Sequence, residues 1–179
     1  MGADEDERDG TPGLGHVRAG PDGPESRMID VGGKPATRRS ATAAARVRFP
    51  PGVLERVLSA GGGPKGPLSE VARSAGILAA KRTGELIPMC HPLGLDHVEI
   101  AFERAAPDAA RPGPADVLEI RCRAACTGRT GVEMEALVGA GIAALTVYDM
   151  SKALAKGIVI EELRLLAKTG GKSGDWSAG

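Results

Sequence analysis

Reactive side chains collect in four short places along this chain: Lys81 with Arg82, Cys90 with His91, Glu133 with Glu135, and Asp149 with Lys152. Asp149 and Lys152 lie three residues apart, so on a helix they share a face, and an acid beside an amine is a pair suited to moving protons. An ordinary surface ion pair is the plainer alternative. His91, held between Cys90 and Pro92, offers a titratable ring in a stiff loop, able to handle a proton or an anion. A structural histidine would read the same way. Lys81 and Arg82 either meet an anion or complement a helix C-terminus, and Glu133 and Glu135 suit a helix start without further function. The GGGPKG run offers Lys65 and backbone donors to a phosphate, or serves as a flexible linker. His91, Glu133, Glu135 and Asp149 contain enough ligand types for a metal, but with no HExxH, CxxC or paired-histidine spacing no metal site and no cofactor is expected. GGKSG near the C-terminus is not a Walker A loop, because the first glycine that motif requires falls on Leu166.

The elements that must position these groups centre on residues 129–152. Residues 136–148 are nearly all small or apolar, which reads as a helix buried on most sides. Gly139 and Gly141 each cost roughly 1 kcal/mol of helical propensity relative to Ala, so they are expected to admit a close neighbour. Glu133 and Glu135 sit at one end of this helix, Asp149 and Lys152 at the other. Glu135 and Asp149 are four turns apart, ~21 Å at helical rise, too far to share one small-molecule site within one helix. An antiparallel copy from a second chain would bring the two ends together. The expectation is an obligate oligomer with composite sites.

Along the rest of the chain, residues 1–27 hold seven acidic and three basic residues with almost no large apolar side chain, and are expected to form a disordered tail. The remainder, mildly basic, suits a phosphorylated small molecule better than a polynucleotide. With one Trp, one Tyr and two Phe, stacking platforms for single-stranded nucleic acid are lacking, and no nucleic-acid partner is expected. No apolar run is long enough to span a membrane and the N-terminus is polar and acidic, so the expected location is the cytoplasm. Cys90, Cys122 and Cys126 form no even-numbered framework and read as reduced thiols.

Strands are expected at residues 28–31, 43–49 (with Arg38 and Arg39 just before it), 97–105, 117–126 and 158–168. Helices are expected at residues 50–60 and 68–83, the second capped by Ser69, lined by Val71, Ala75, Leu78 and Ala79, and ended by Gly84. Residues 85–95 form a rigid connector, and residues 107–114 a Pro-rich turn between two strands of a hairpin. This order is the split βαβ pattern: an α+β, ferredoxin-like antiparallel sheet with helices on one face and the other face in need of cover. A single domain over residues 28–174 follows, with a flexible end at 175–179.

Taken together, MIDV from Met28, PKG from Pro64, AAKRT from Ala79, LIPMCHPL from Leu86, TGVEMEAL from Thr130, AALTVYDMSK from Ala143 and LLAKTGGKSG from Leu165 closely resemble the cyclic pyranopterin monophosphate synthase family of molybdenum cofactor biosynthesis. The resemblance implies a ferredoxin-like subunit assembled as a homohexamer, a trimer of dimers, with sites between subunits. It implies a lyase that converts 3′,8-cyclised 7,8-dihydro-GTP to cyclic pyranopterin monophosphate and releases pyrophosphate. By the same resemblance Asp149 is the acid/base, and Lys65, Lys81 and Lys152 are active-site lysines. Met89, Cys90, His91, Met134 and Glu135 meet substrate, and Glu133, Arg39 and Lys168 complete the pocket. One departure is Pro67, where the family often carries an acid. Two other readings remain: a nucleotide-sensing domain, which would need the cations but not Asp149, and a metal-dependent hydrolase, which a chelator would silence.

Overall fold

The computed structural model describes residues 15–59, 67–105, 116–172 and 174–179. Its first element is a hairpin, β1 (Val17–Gly20) antiparallel to β2 (Gly23–Ser26), inside the segment expected to be disordered. Low apolar content overlooked a local signal. The turn is closed by Gly23 at φ 126, where a side chain would be strained, and Arg18 stands opposite Glu25 with an ion pair of 3.0 Å. Residues 28–31, expected as a strand, are irregular.

β3 (Thr37–Arg48) is longer than its expected 43–49 span and includes Arg38 and Arg39. Then come α1 (Val53–Ser59), α2 (Leu68–Lys81), a single turn α3 (Thr83–Leu86), β4 (His97–Arg104), β5 (Val117–Gly128), α4 (Glu133–Ser151), β6 (Val159–Thr169) and the two-residue β7 (Trp176–Ser177). The larger sheet runs β4-β5-β3-β6-β7 and is antiparallel at every pairing. β7 therefore lies in the end expected to be flexible, pairing Trp176 with Lys168. The fold is α+β, and no helix among the described residues is long and apolar enough to cross a membrane.

Alternation along β3 and β5 decides the layers. Ala41, Ala43, Ala45 and Val47 on β3, with Leu118, Ile120, Cys122 and Ala124 on β5, are buried toward the helices. The opposite face carries Arg46, Glu119, Arg121 and Glu162, tied into ion pairs such as Arg121–Glu119 at 2.6 Å. That face is charged rather than apolar, so it can meet water, and the expectation that it needs cover does not hold.

α4 lays Ala136, Ala140, Ala143, Ala144 and Val147 on the sheet. It is not buried on most sides in the single chain, because Leu145 is 54 % and Tyr148 40 % exposed. Alanines on both partners hold the helix close to the strands. Gly139 fulfils its expected role against Gly76 of α2, while Gly141 faces the side chain of Leu163. α2 buries Leu68, Ala72, Gly76, Ala79 and Ala80, leaving Val71 and Leu78 exposed, so the expected stripe is rotated. Ser69 does not cap it: Pro67 occupies the N-cap and no side chain bonds there. Arg82 rather than Gly84 ends it.

Candidate active site

Glu133 and Glu135 open α4, and their environments differ. Glu135 is 3 % exposed, and its Oε2 has no hydrogen-bond partner among the described residues. Burial pushes its carboxyl above the usual range, the charge of Glu133 adds to this, and its own backbone N–H pulls the other way. Glu133 is instead paired, accepting from Lys168 Nζ at 3.0 Å. Cys90 and Cys126 are raised by burial first and by Glu135 second, and Cys122 is pushed up to about 12 by burial. All three remain thiols at neutral pH.

Arg39 shares the helix-side face of β3 with Ala41 but lies nearer the end of the sheet, where the loop into α4 begins. Its Nε donates to Gly128 O at 3.1 Å and its Nη2 to Arg129 O at 3.4 Å, fixing that loop. Gly170 and Gly171, at φ 85 and 83, pass so close to Arg38 O and Arg39 Nη1 that a Cβ at either would collide. The LAKTGGK stretch thus wraps the guanidinium.

Two cavities meet at this end of α4. The larger, about 950 Å³, carries Lys34, Arg39, Arg129, Lys168 and Lys172 against one carboxylate, Glu133. The smaller, about 190 Å³, is walled by Met89, Cys90, His91, Met134 and Glu135. Lys34, Thr130, Gly131 and Glu133 line both, which makes them one continuous cleft with a cationic half and an acid- and imidazole-bearing half. His91 is held by Nε2, which donates to Ile29 O at 2.8 Å. Eight residues expected from sequence converge here: Arg39, Met89, Cys90, His91, Glu133, Met134, Glu135 and Lys168.

The other expected residues lie elsewhere. Asp149 and Lys152 stand at the far end of α4, Nζ to Oδ1 2.5 Å, both about half exposed. The hydrogen bond to Asp149, then its charge, raises the lysine. Lys81 lines a third cleft of about 290 Å³ with Arg82 and Glu85, and Leu93 and Pro92 separate it from the His91 cavity. Lys65 lies outside the described residues, as does the turn expected at 107–114. Sequence reasoning missed Lys34, Lys172 and His16 as lining residues. Lys34 follows Gly32 and Gly33 directly after MIDV, but no spacing rule singles it out. Only the fold brings residues 16, 34, 90, 133 and 172 together.

Comparison with known proteins gives this chain its family. The cyclic pyranopterin monophosphate synthase of Chloroflexus aggregans is 53 % identical over 151 residues, covering 84 % of this chain and 87 % of the relative. Proteins of the same name from Novosphingobium aromaticivorans and Chloroflexus aurantiacus are each 51 % identical, over 156 and 151 residues. The Novosphingobium alignment covers 87 % of this chain and 93 % of the relative. The MoaC family model matches residues 28–171, a span that takes in every element from β3 to β6 and the residues that line the cleft except His16 and Lys172: the chain belongs to the MoaC family.

Proposed function

We propose that the protein is a cyclic pyranopterin monophosphate synthase, a lyase that acts on 3′,8-cyclised 7,8-dihydro-GTP in molybdenum cofactor biosynthesis and releases pyrophosphate. The observation that carries the reading is the two-part cleft, with five basic side chains at one end and a buried carboxyl, raised above the usual range by its burial, at the other. Arg39, Lys168 and Lys34 suit the triphosphate and the leaving pyrophosphate, since fixed cations stabilise charge as it develops on a departing phosphate. The smaller half, with Met89, Met134 and His91, suits the purine-derived bicycle. Glu135, whose carboxyl burial pushes above the usual range, is suited to exchanging a proton or a hydrogen bond there.

Asp149 is the acid/base and Lys152 its partner, both acting on the cleft of a neighbouring subunit. Support for that arrangement is the length of α4, which holds Asp149 four turns from Glu135 and so outside the reach of its own cleft. Exposed Leu145, Tyr148 and Leu163 offer apolar surface for another subunit to cover. The assembly is a homohexamer, a trimer of dimers with inter-subunit sites to which Lys65 and Lys81 contribute. The strand order with two helical crossovers, each spanning one intervening antiparallel strand, supports the ferredoxin-like description of the subunit.

The test is pyrophosphate release from purified protein supplied with the cyclised dihydro-GTP, the product identified by mass, with and without chelator. Release by wild type, insensitive to chelator and lost in Asp149→Asn, is the expected result. Tight binding without turnover would leave a nucleotide sensor in its place, and silencing by chelator a metal-dependent hydrolase.

A further inference from the structure

His16 precedes the first hairpin, outside the span matched by the family model, and it lines the smaller half of the cleft. Its main chain and side chain are both fastened to one residue across the hairpin. Arg27 N donates to His16 O at 2.8 Å, and His16 Nδ1 lies 3.1 Å from Arg27 O. A carbonyl can only accept, so Nδ1 carries the hydrogen and the neutral ring is left with Nε2 as an acceptor. Two residues further on, Ile29 O holds His91 by its Nε2, leaving Nδ1 of that ring as the acceptor. One short segment, residues 27–29, thereby sets the tautomers of two imidazoles that wall the same cavity. A histidine at the foot of an exposed hairpin is ordinarily a turn residue, and the His16–Arg27 pairing alone would be explained by hairpin stability. What that explanation leaves over is that this residue lines a cavity shared with Glu135 and His91, with no hydrogen bond to its Nε2 among the described residues.

The geometry points to His16 as a further substrate-binding residue, its Nε2 accepting a hydrogen bond from an N–H of the purine-derived heterocycle in the smaller cavity. This rests on the function proposed above. Acceptor atoms are concentrated in that half of the cleft, with the carboxyl oxygens of Glu133 and Glu135 beside the two ring nitrogens, and the N–H-bearing edge of a guanine-derived ring is their complement. The hairpin β1–β2 then serves to hold His16, the residue before it, at the wall of the site.

Three substitutions separate this role from a structural one. Asparagine can keep the contact of Nδ1 with Arg27 O but cannot reach as far as Nε2. Glutamine can present an amide oxygen near Nε2, and alanine supplies neither. Dissociation constants for the cyclised dihydro-GTP are measured by calorimetry in an Asp149→Asn background, alongside turnover by the wild-type enzyme. His16→Ala and His16→Asn are expected to weaken binding about tenfold, the range for one lost hydrogen bond, with His16→Gln recovering most of it. His97→Gln, on the charged face of the sheet and paired with Glu99, is expected to bind as the parent does. Parental binding by His16→Ala would overturn the assignment, and so would rescue by asparagine but not glutamine. Wild-type turnover with binding indifferent to His16 removes this inference alone. Binding that depends on the acceptor at residue 16 but is never followed by turnover removes the lyase reading and leaves His16 in place. A wild type that does not bind the substrate removes both.

Discussion

At the scale of single residues, Glu135 is the side chain whose setting departs furthest from what a carboxylate prefers, since it is 3 % exposed and one of its oxygens has no described partner. Its folded pKa lies above its unfolded one, so between the two the folded state holds the extra proton. Stability therefore falls as pH rises from the ordinary carboxylate range through the raised value. Glu135→Gln cannot ionise. The variant should match wild type in thermal unfolding at acid pH and unfold at the higher temperature at pH 8; an identical pair of curves at both pH values would contradict this. Asp149→Asn should lower kcat by about a hundredfold to ten-thousandfold, the usual worth of a positioned acid/base, with little change in the unfolding temperature because the side chain is half exposed. Sequence reading singled out Asp149 and Lys152 because an acid and an amine three residues apart share a helix face, and Glu133 and Glu135 because they stand at the start of the same helix. It could not find Lys34 or His16, whose places follow from the path of residues 15–36 rather than from any local pattern.

Among the elements, the crossing of α2 and α4 is the tightest joint. A Cβ on Gly76 would lie 2.7 Å from Gly139 O and also run into Ile100, so Gly76→Ala should destabilise the fold by about 1–3 kcal/mol through overpacking, measured by denaturant unfolding. Gly141→Ala meets only the end of Leu163 at 3.3 Å, a flexible neighbour. It should fall within about 1 kcal/mol of wild type, as helical propensity offsets the contact. Equal losses at the two positions would show that backbone approach is not what Gly76 provides. The helices and the β4–β5 hairpin were legible from periodicity, because apolar alternation and helical spacing are local properties. The face of α2 was misjudged because Val71 and Leu78 look like core while Gly76 and Ala80, which the joint requires, carry little hydrophobic signal. β1–β2 was missed because its stability comes from a turn glycine and a cross-strand ion pair rather than from apolar burial.

For the whole molecule, the separation of the Glu135 cavity from Asp149 was readable as a length before any coordinates, and α4 as one unbroken helix from Glu133 to Ser151 sets it. In the proposed assembly six copies of an 18.3 kDa chain give about 110 kDa, which light scattering would read directly. A Leu145→Asp substitution should lower that mass if the exposed side of α4 is an interface, since burying an unpaired charge is strongly unfavourable. The expectation that the far face of the sheet needs cover failed because alternation reports which residues face outward, whereas pairing across strands neutralises Arg46, Glu119, Arg121 and Glu162 in place. Composite sites make one further demand: Asp149→Asn and Glu135→Ala, the second removing the hydrogen-bonding group that glutamine would keep, each release little pyrophosphate alone and must complement when their chains are mixed. Random pairing of two such chains leaves one intact site in each mixed dimer and restores about a quarter of wild-type pyrophosphate release. Unfolding and refolding the variants together, then assaying release, is the measurement that tests the account most directly. Recovery near that fraction is the predicted result, and a mixture no more active than either variant alone would contradict a site shared between subunits.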